Sequence, residues 1–341
     1  MVDTEKGGGF MRKSMKLGLL VLLIALVALP SLFAQGQKPA ADTYEIVTVV
    51  KITGIPWFNR LEEGVKAAAR ELGLNAYQIG PADADPAQQV KMVEDLISKK
   101  VDAICITPND AKALEPVFKK AREQGILILT HESPDQNGKD VDIELIDNIA
   151  FAQRAWDMLV EGMGTKGQYA IFVGGLTVPL HNLWADEGIK YAQAKYPDLQ
   201  LVTTRIPCGE DQELSKQKTL ELLKTYPDLK GIVGFGSLGP PGAAQALKEK
   251  GLAGKVAVVG TVIPGHAAPY LKEGSMTKGI LWDPKDAGYA LNWVAKFMLD
   301  GGDFKTLKEI PGVGPVVVDG DVIKVSAMVD ITKENVDSFG F

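Results

Sequence analysis

Residue spacing points to an α/β chain made of two similar lobes, each built on a parallel sheet. Residues 101–133 read strand, loop, helix, strand. An apolar run (101–107) ends in Pro108, Asn109 and Asp110. Ala113, Leu114, Val117, Phe118 and Ala121 then share a helical face, Gly125 stops the helix, and a second apolar run follows at 126–130. A βαβ unit of this kind is right-handed and its strands are parallel. Residues 229–263 repeat the plan, with strands at 231–235 and 256–260 around a helix at 242–250. Amphipathic helices precede both copies, at 88–99 and 214–224. In an open parallel sheet, ligands sit beyond the carboxyl ends of the strands. Two such sheets facing one cleft bring Asn109, His131 and Glu132 of one lobe toward Ser237 and Thr261 of the other.

The remaining elements follow in order. Arg12, Lys13 and Lys16 precede a short apolar run (17–29) and small residues up to Ala34, the pattern of a secretory signal peptide over residues 1–34. The chain is therefore expected to be secreted. Strands are expected at 44–51, 76–79, 168–173, 200–205 and 277–282. Helices are expected at 60–72, 148–163, 182–195, 266–273 and 287–299, and a hairpin over 312–325 around Asp319-Gly320. Residues 54–58 and 174–181 read as loops, and 134–147 as a polar crossing between lobes. The first lobe is expected to comprise 42–133 plus 284–309, and the second 134–283 plus 310–341.

Composition narrows the function. The chain has 341 residues and a formal net charge of −6. Without the leader, 33 basic and 41 acidic residues remain, about −8. That balance speaks against nucleic acid as a partner. Two cysteines and three histidines at scattered positions give no metal-ligand spacing. Cys105 reads as a buried strand residue and Cys208 as a surface thiol. Gly234-Phe235-Gly236-Ser237-Leu238-Gly239 matches G-x-G-x-x-G after a strand, but Pro240 and Pro241 stand where a helix should open. The next strand ends in Gly260-Thr261 without an acid, so no nucleotide site or other cofactor is expected. No nucleophile–base signature such as G-x-S-x-G or H-E-x-x-H occurs. The chain is not expected to be an enzyme.

What the strand ends offer is aromatics and polar tips. Lys51, Trp57 and Phe58 cluster after the first strand. Aromatic faces stack on the C–H faces of sugar rings, and packing on their own lobe is the equal alternative. Glu132 can accept two hydroxyl hydrogen bonds or form an ion pair at a lobe edge. His181-Asn182 with Trp184 opens a helix; a lone histidine is usually structural, but these neighbours favour ligand contact. Trp282-Asp283 again sets an aromatic beside a carboxylate. Such groups hold a polyhydroxylated molecule rather than cleave it.

Together with the leader, Pro56-Trp57-Phe58, Thr130-His131-Glu132-Ser133, the 174–184 loop-helix and Ile280-Leu281-Trp282-Asp283 make the chain resemble the periplasmic sugar-binding proteins of ABC transporters. The likeness spans nearly all of the chain after the leader and is nearest the autoinducer-2 and rhamnose branch. It implies a type I binding protein: two Rossmann-like lobes joined by a three-strand hinge and closing on a sugar. It further implies Lys51 as a donor, Trp57 and Phe58 as stacking platforms, Glu132 in place of a ligand-binding aspartate and Asp283 as a polar contact beside the hinge. Leu180-His181 stands where the autoinducer-2 binder has Asp-Gln, and Phe235-Gly236-Ser237 where it has Pro-Asp-Ala. A different small sugar, deoxysugar or polyol is therefore expected, handed to a membrane permease by a monomeric receptor. A receptor for an autoinducer-2-like signal, or a chemosensory binding protein, is the alternative.

Overall fold

A computed structural model describes residues 43–341; the expected signal peptide lies outside the described residues. The first sheet is built from β1 (Glu45–Val49), β2 (Asn75–Ile79), β3 (Ala103–Ile106), β4 (Leu127–His131) and β5 (Val141–Glu144). Their order is β2-β1-β3-β4-β5, all parallel. The helices α1 (Pro56–Leu72), α2 (Pro86–Lys99) and α3 (Ala111–Glu123) link the first four strands. Asp85 and Asp110 cap the last two of these through their carboxylates, satisfying amides that the helix leaves free.

The second sheet takes its strands from the next stretch: α4 (Asn148–Met163), β6 (Gly167–Val173), α5 (Pro179–Lys195), β7 (Leu199–Leu201), β8 (Ile206–Pro207), α6 (Gln212–Thr225), β9 (Leu229–Gly234), α7 (Gly239–Glu249), β10 (Ala257–Thr261), α8 (Pro264–Glu273) and β11 (Lys278–Leu281). Its parallel core runs β7-β6-β9-β10-β11. The chain then returns through α9 (Pro284–Leu299), which packs along α1 under the first sheet. Gly64 and Gly288 let these helices touch: a Cβ at Gly288 would lie 2.2 Å from the Leu61 carbonyl oxygen. After a two-stranded pair, β12 (Glu309–Ile310) with β13 (Gly314–Pro315), the hairpin of β14 (Val317–Asp319) and β15 (Val322–Lys324) joins the first sheet beside β5. Finally β16 (Val329–Ile331) pairs antiparallel with β11 in the second.

Three segments thus cross between lobes: 145–147, 282–283 and 325–328. Two of them are tied together, with Val325 N–H donating to the Glu144 carbonyl at 2.7 Å and Ala327 N–H to that of Leu145 at 2.9 Å. Sheet pairing corrects the expected boundaries in two stretches. Residues 141–144 and 317–324 belong to the first sheet, not the second lobe. Strand β5 was hidden by its polar alternation, since Asp142 and Glu144 are both buried in it. The expected strand at 200–205 is two short pieces instead. The chain leaves β6 after β7 and rejoins it at Ile206.

Several helices also start earlier than the sequence reading, four of them by three residues or more. Helices α1, α5 and α9 begin at Pro56, Pro179 and Pro284, because proline's fixed φ suits the first helical position. Trp57, Phe58 and His181 therefore sit on helical first turns rather than in loops. Helix α7 likewise opens at Gly239 with both prolines in its first turn, so the third glycine of the G-x-G-x-x-G run does start a helix. Cys208 is buried, not a surface thiol, and both cysteines are free.

Candidate functional site

The carboxyl ends of both sheets face one cavity. Lys51 follows β1, Trp57 and Phe58 open α1, and Glu132 follows β4. From the other lobe come His181 and Trp184 on α5, Glu210 after β8, Gly236 and Ser237 after β9 and Thr261 at the end of β10; Trp282 enters along the crossing after β11. The space left between them is about 10 Å³, far below the roughly 300–1,000 Å³ of pockets for drug-sized molecules, so the two lobes are drawn together on each other here. A larger hollow between Lys119, Gly125 and Asp140 lies at the opposite end of the first sheet, away from these strand termini.

At the centre is the Lys51 ammonium, 2% exposed. Its Nζ lies 2.8 Å from Glu132 Oε2, 3.4 Å from Glu210 Oε1 and 3.1 Å from His181 Nε2. One cation thus ties a carboxylate of its own lobe to a carboxylate of the other, with an imidazole of that other lobe beside it. Burial opposes the Lys51 charge, yet the two carboxylates outweigh it and its pKa is raised. Burial pushes the Glu210 carboxyl up, partly offset by Lys51. Burial, and then Lys51, hold His181 well below the ordinary imidazole value. Glu132 sits at φ +60, a left-handed conformation rarely adopted by a residue other than glycine and typical of functional sites.

Aromatic rings form the floor and wall. Trp57 meets Trp282 edge-on with centroids 5.1 Å apart, Trp184 lies 5.9 Å from Trp282, and His181 stacks on Trp184 at 5.6 Å. Phe151 and Phe235 pack beneath. The Trp184 indole N–H is spent on Asn148 Oδ1 at 2.9 Å, whereas the Trp282 Nε1 has no partner among the described residues.

Of the residues expected from sequence, Lys51, Trp57, Phe58, Glu132, His181, Trp184, Ser237 and Thr261 line the cavity. Four do not. Asn109 is buried behind it: its Nδ2 donates to the Lys51 carbonyl at 2.8 Å, and its own carbonyl accepts from Thr177 Oγ1 of the other lobe at 2.9 Å. His131 lies 2.6 Å through Nδ1 from the Ile143 carbonyl. Asn182 donates to the carbonyls of Gly175 and Val178 and accepts from Arg205. Asp283 faces away, with its carboxylate on Arg60 at 2.6 and 2.9 Å while also capping α9 at Lys285 N. Its role as a ligand contact gives way to that of a cap and hinge anchor.

Glu210 and Gly236 were missed, and Trp282 was noted only as the neighbour of Asp283. Glu210 stands in Cys208-Gly209-Glu210-Asp211, which reads as a solvated turn. Its position depends on two glycines. Gly236 has φ +98, and a Cβ there would lie 2.6 Å from the Gly209 carbonyl oxygen. This close backbone approach holds the Glu210 loop against the cavity, and glycine spacing was the available signal.

The comparisons agree with this geometry. A model described as the periplasmic binding protein domain matches residues 46–303. The chain is a type I periplasmic binding protein of the sugar ABC transporter class. The ribose import binding protein of Bacillus subtilis is 24% identical over 85% of this chain and 94% of its own length. A xylitol-binding protein of Mycolicibacterium smegmatis is 30% identical over 75% of this chain and 68% of its own. Among solved structures, LsrB from Clostridium saccharobutylicum in complex with AI-2 superposes with a TM-score of 0.80 at 24% identity. It covers 87% of this chain and 99% of that one. A solute-binding protein from Clostridium phytofermentas with bound L-rhamnose gives 0.79 at 24%, covering 87% and 98%. At that identity the likeness to the two structures concerns the fold.

Proposed function

We propose that this binding protein takes up one neutral sugar, deoxysugar or polyol of monosaccharide size between its lobes in the periplasm. It then delivers the ligand to the permease of an ABC importer, acting as a monomer without cofactor or covalent step. One observation supports this above the rest. Glu210 Oε2, Ser237 Oγ, Thr261 Oγ1 and Trp282 Nε1 line the cavity, buried and, among the described residues, without a hydrogen-bond partner. Each such atom costs about 1–3 kcal/mol if left unmatched. A carboxylate acceptor, two hydroxyls and an N–H donor set among aromatic faces match a small ring carrying several hydroxyls. The Ser237 hydroxyl touches no base, so nothing activates it as a nucleophile. Because Lys51, Trp57, Phe58 and Glu132 of the first lobe face this set from across the cleft, the ligand stabilises the closed arrangement over the open one.

Isothermal titration with D-ribose, D-xylose, L-rhamnose, D-tagatose and xylitol tests the reading. One-site binding of at least one is expected, and silence across the panel counts against a sugar receptor. A receptor for an autoinducer-2-like signal is the second reading, favoured by the fold shared with the AI-2 complex. Adding that signal to the same titration separates the two.

A further inference from the structure

Lys51 and His181 meet across the lobes with an unusual polarity. The tautomer of a histidine follows from its partners. His181 Nδ1 accepts a hydrogen bond from the Gly174 backbone N–H at 2.9 Å, so Nδ1 carries a lone pair. Burial, and then the Lys51 charge, keep the ring neutral. A neutral imidazole with a bare Nδ1 carries its proton on Nε2. That Nε2 lies 3.1 Å from the Lys51 Nζ. Lys51 is held as an ammonium by Glu132 and Glu210, against its own burial. A donor therefore faces a donor at hydrogen-bond distance, one from each lobe. Neither can satisfy the other, and an acceptor oxygen within reach of both satisfies the two together.

We propose that Lys51 and His181 form a two-donor clamp on a single oxygen of the ligand, with Glu132 and Glu210 accepting from hydroxyls beside it. This rests on the sugar-receptor reading and narrows its ligand class. The bound molecule presents one oxygen that accepts two hydrogen bonds, flanked by hydroxyls that donate. If that oxygen is itself a hydroxyl, its proton goes to Glu210 Oε2, which has no protein partner. One ammonium against two carboxylates leaves the site at −1, so a sugar acid is disfavoured where a neutral sugar is not. His181 is thereby a specificity-determining residue that works only when the lobes are closed. Gly174 sets its tautomer, and the Trp184 stack sets its plane.

Two measurements on the full chain test the clamp. Histidine-selective 15N labelling reads the tautomer directly. His181 is expected to show the Nε2–H form unchanged from pH 8 to pH 5.5. An Nδ1–H form, or an imidazolium within that range, overturns the proposal whatever the ligand. Calorimetry with D-ribose, L-rhamnose, D-tagatose and xylitol then compares wild type with His181→Leu and His181→Gln. For any of the four that binds, His181→Leu is expected to weaken binding tenfold or more. His181→Gln keeps an amide donor and should lose less than about fivefold. A His181→Leu protein binding within twofold of wild type overturns the clamp while leaving the receptor reading intact. If neither these four nor D-xylose binds wild type, the receptor reading falls, and the tautomer measurement alone decides the donor arrangement.

Discussion

Replacing Lys51 by methionine removes the ammonium that lies between two buried carboxylates. The separations of 2.8 Å to Glu132 and 3.4 Å to Glu210 correspond to attractions of roughly 6 and 5 kcal/mol at an effective dielectric near 20. Desolvation of three ions cancels most of that sum. Deleting one partner of such a buried set nevertheless costs about 3–5 kcal/mol, because the survivors are left uncompensated. The location of the cost follows from the topology. Lys51 and Glu132 belong to one lobe and Glu210 to the other, so opening the lobes gives the carboxylates water. The penalty should therefore fall on closure and not on folding. Sugar affinity by calorimetry is expected to drop about 10²- to 10⁴-fold, while the ligand-free melting temperature moves by no more than ~5 °C. Small-angle scattering should show a more open ensemble. Adding Glu210→Gln to the same chain should recover part of the affinity, since one carboxylate then remains. Affinity within threefold of wild type would refute the reasoning, and so would a collapse of the melting temperature with binding retained.

Three further outcomes are expected. Burial, and next the neighbouring Asp142, raise the Glu144 carboxyl well above its usual range. The folded chain thus keeps a proton that the unfolded chain releases above about pH 4.5. That stability is fully present below this pH and is lost as pH climbs through the folded value. Glu144→Gln should therefore melt ~3 °C or more above wild type at pH 8 and show no such advantage at pH 4.5. Asp283→Ala removes the α9 cap and the Arg60 pair. Chemical denaturation should show a loss of about 1–2 kcal/mol, with the order of preference among sugars unchanged because Asp283 does not reach the cavity. Glu132→Gly relieves a left-handed residue worth roughly 1–2 kcal/mol but deletes a polar tip of the cavity. Unfolding free energy should fall by less than about 1 kcal/mol while binding falls tenfold or more.

Much of the frame was legible because glycine, proline and apolar runs punctuate it. The two βαβ units stand out for that reason, and the rule that ligands sit at strand carboxyl ends then gathers Glu132, Ser237 and Thr261, along with Asn109 and His131, which do not line the cavity. Strand β5 escaped because buried Asp142 and Glu144 look like loop residues. Their burial is decided by neighbours on β4 and β15, which local spacing does not encode. Glu210 escaped for a related reason: its approach depends on Gly209 meeting Gly236, a contact between distant stretches. Beside Trp282, the acid Asp283 looked like the binding group. A carboxylate directly before a proline is also a helix cap, and here capping and Arg60 claim it.

Tryptophan fluorescence during sugar titration bears on the cleft most directly, since Trp57, Trp184 and Trp282 all border it. A saturable one-site change is expected with at least one of D-ribose, D-xylose, L-rhamnose, D-tagatose and xylitol, and the same change should be absent when Lys51→Met is titrated over that range. Sugar binding detected by calorimetry with no tryptophan response, or an unaltered response in Lys51→Met, would contradict it.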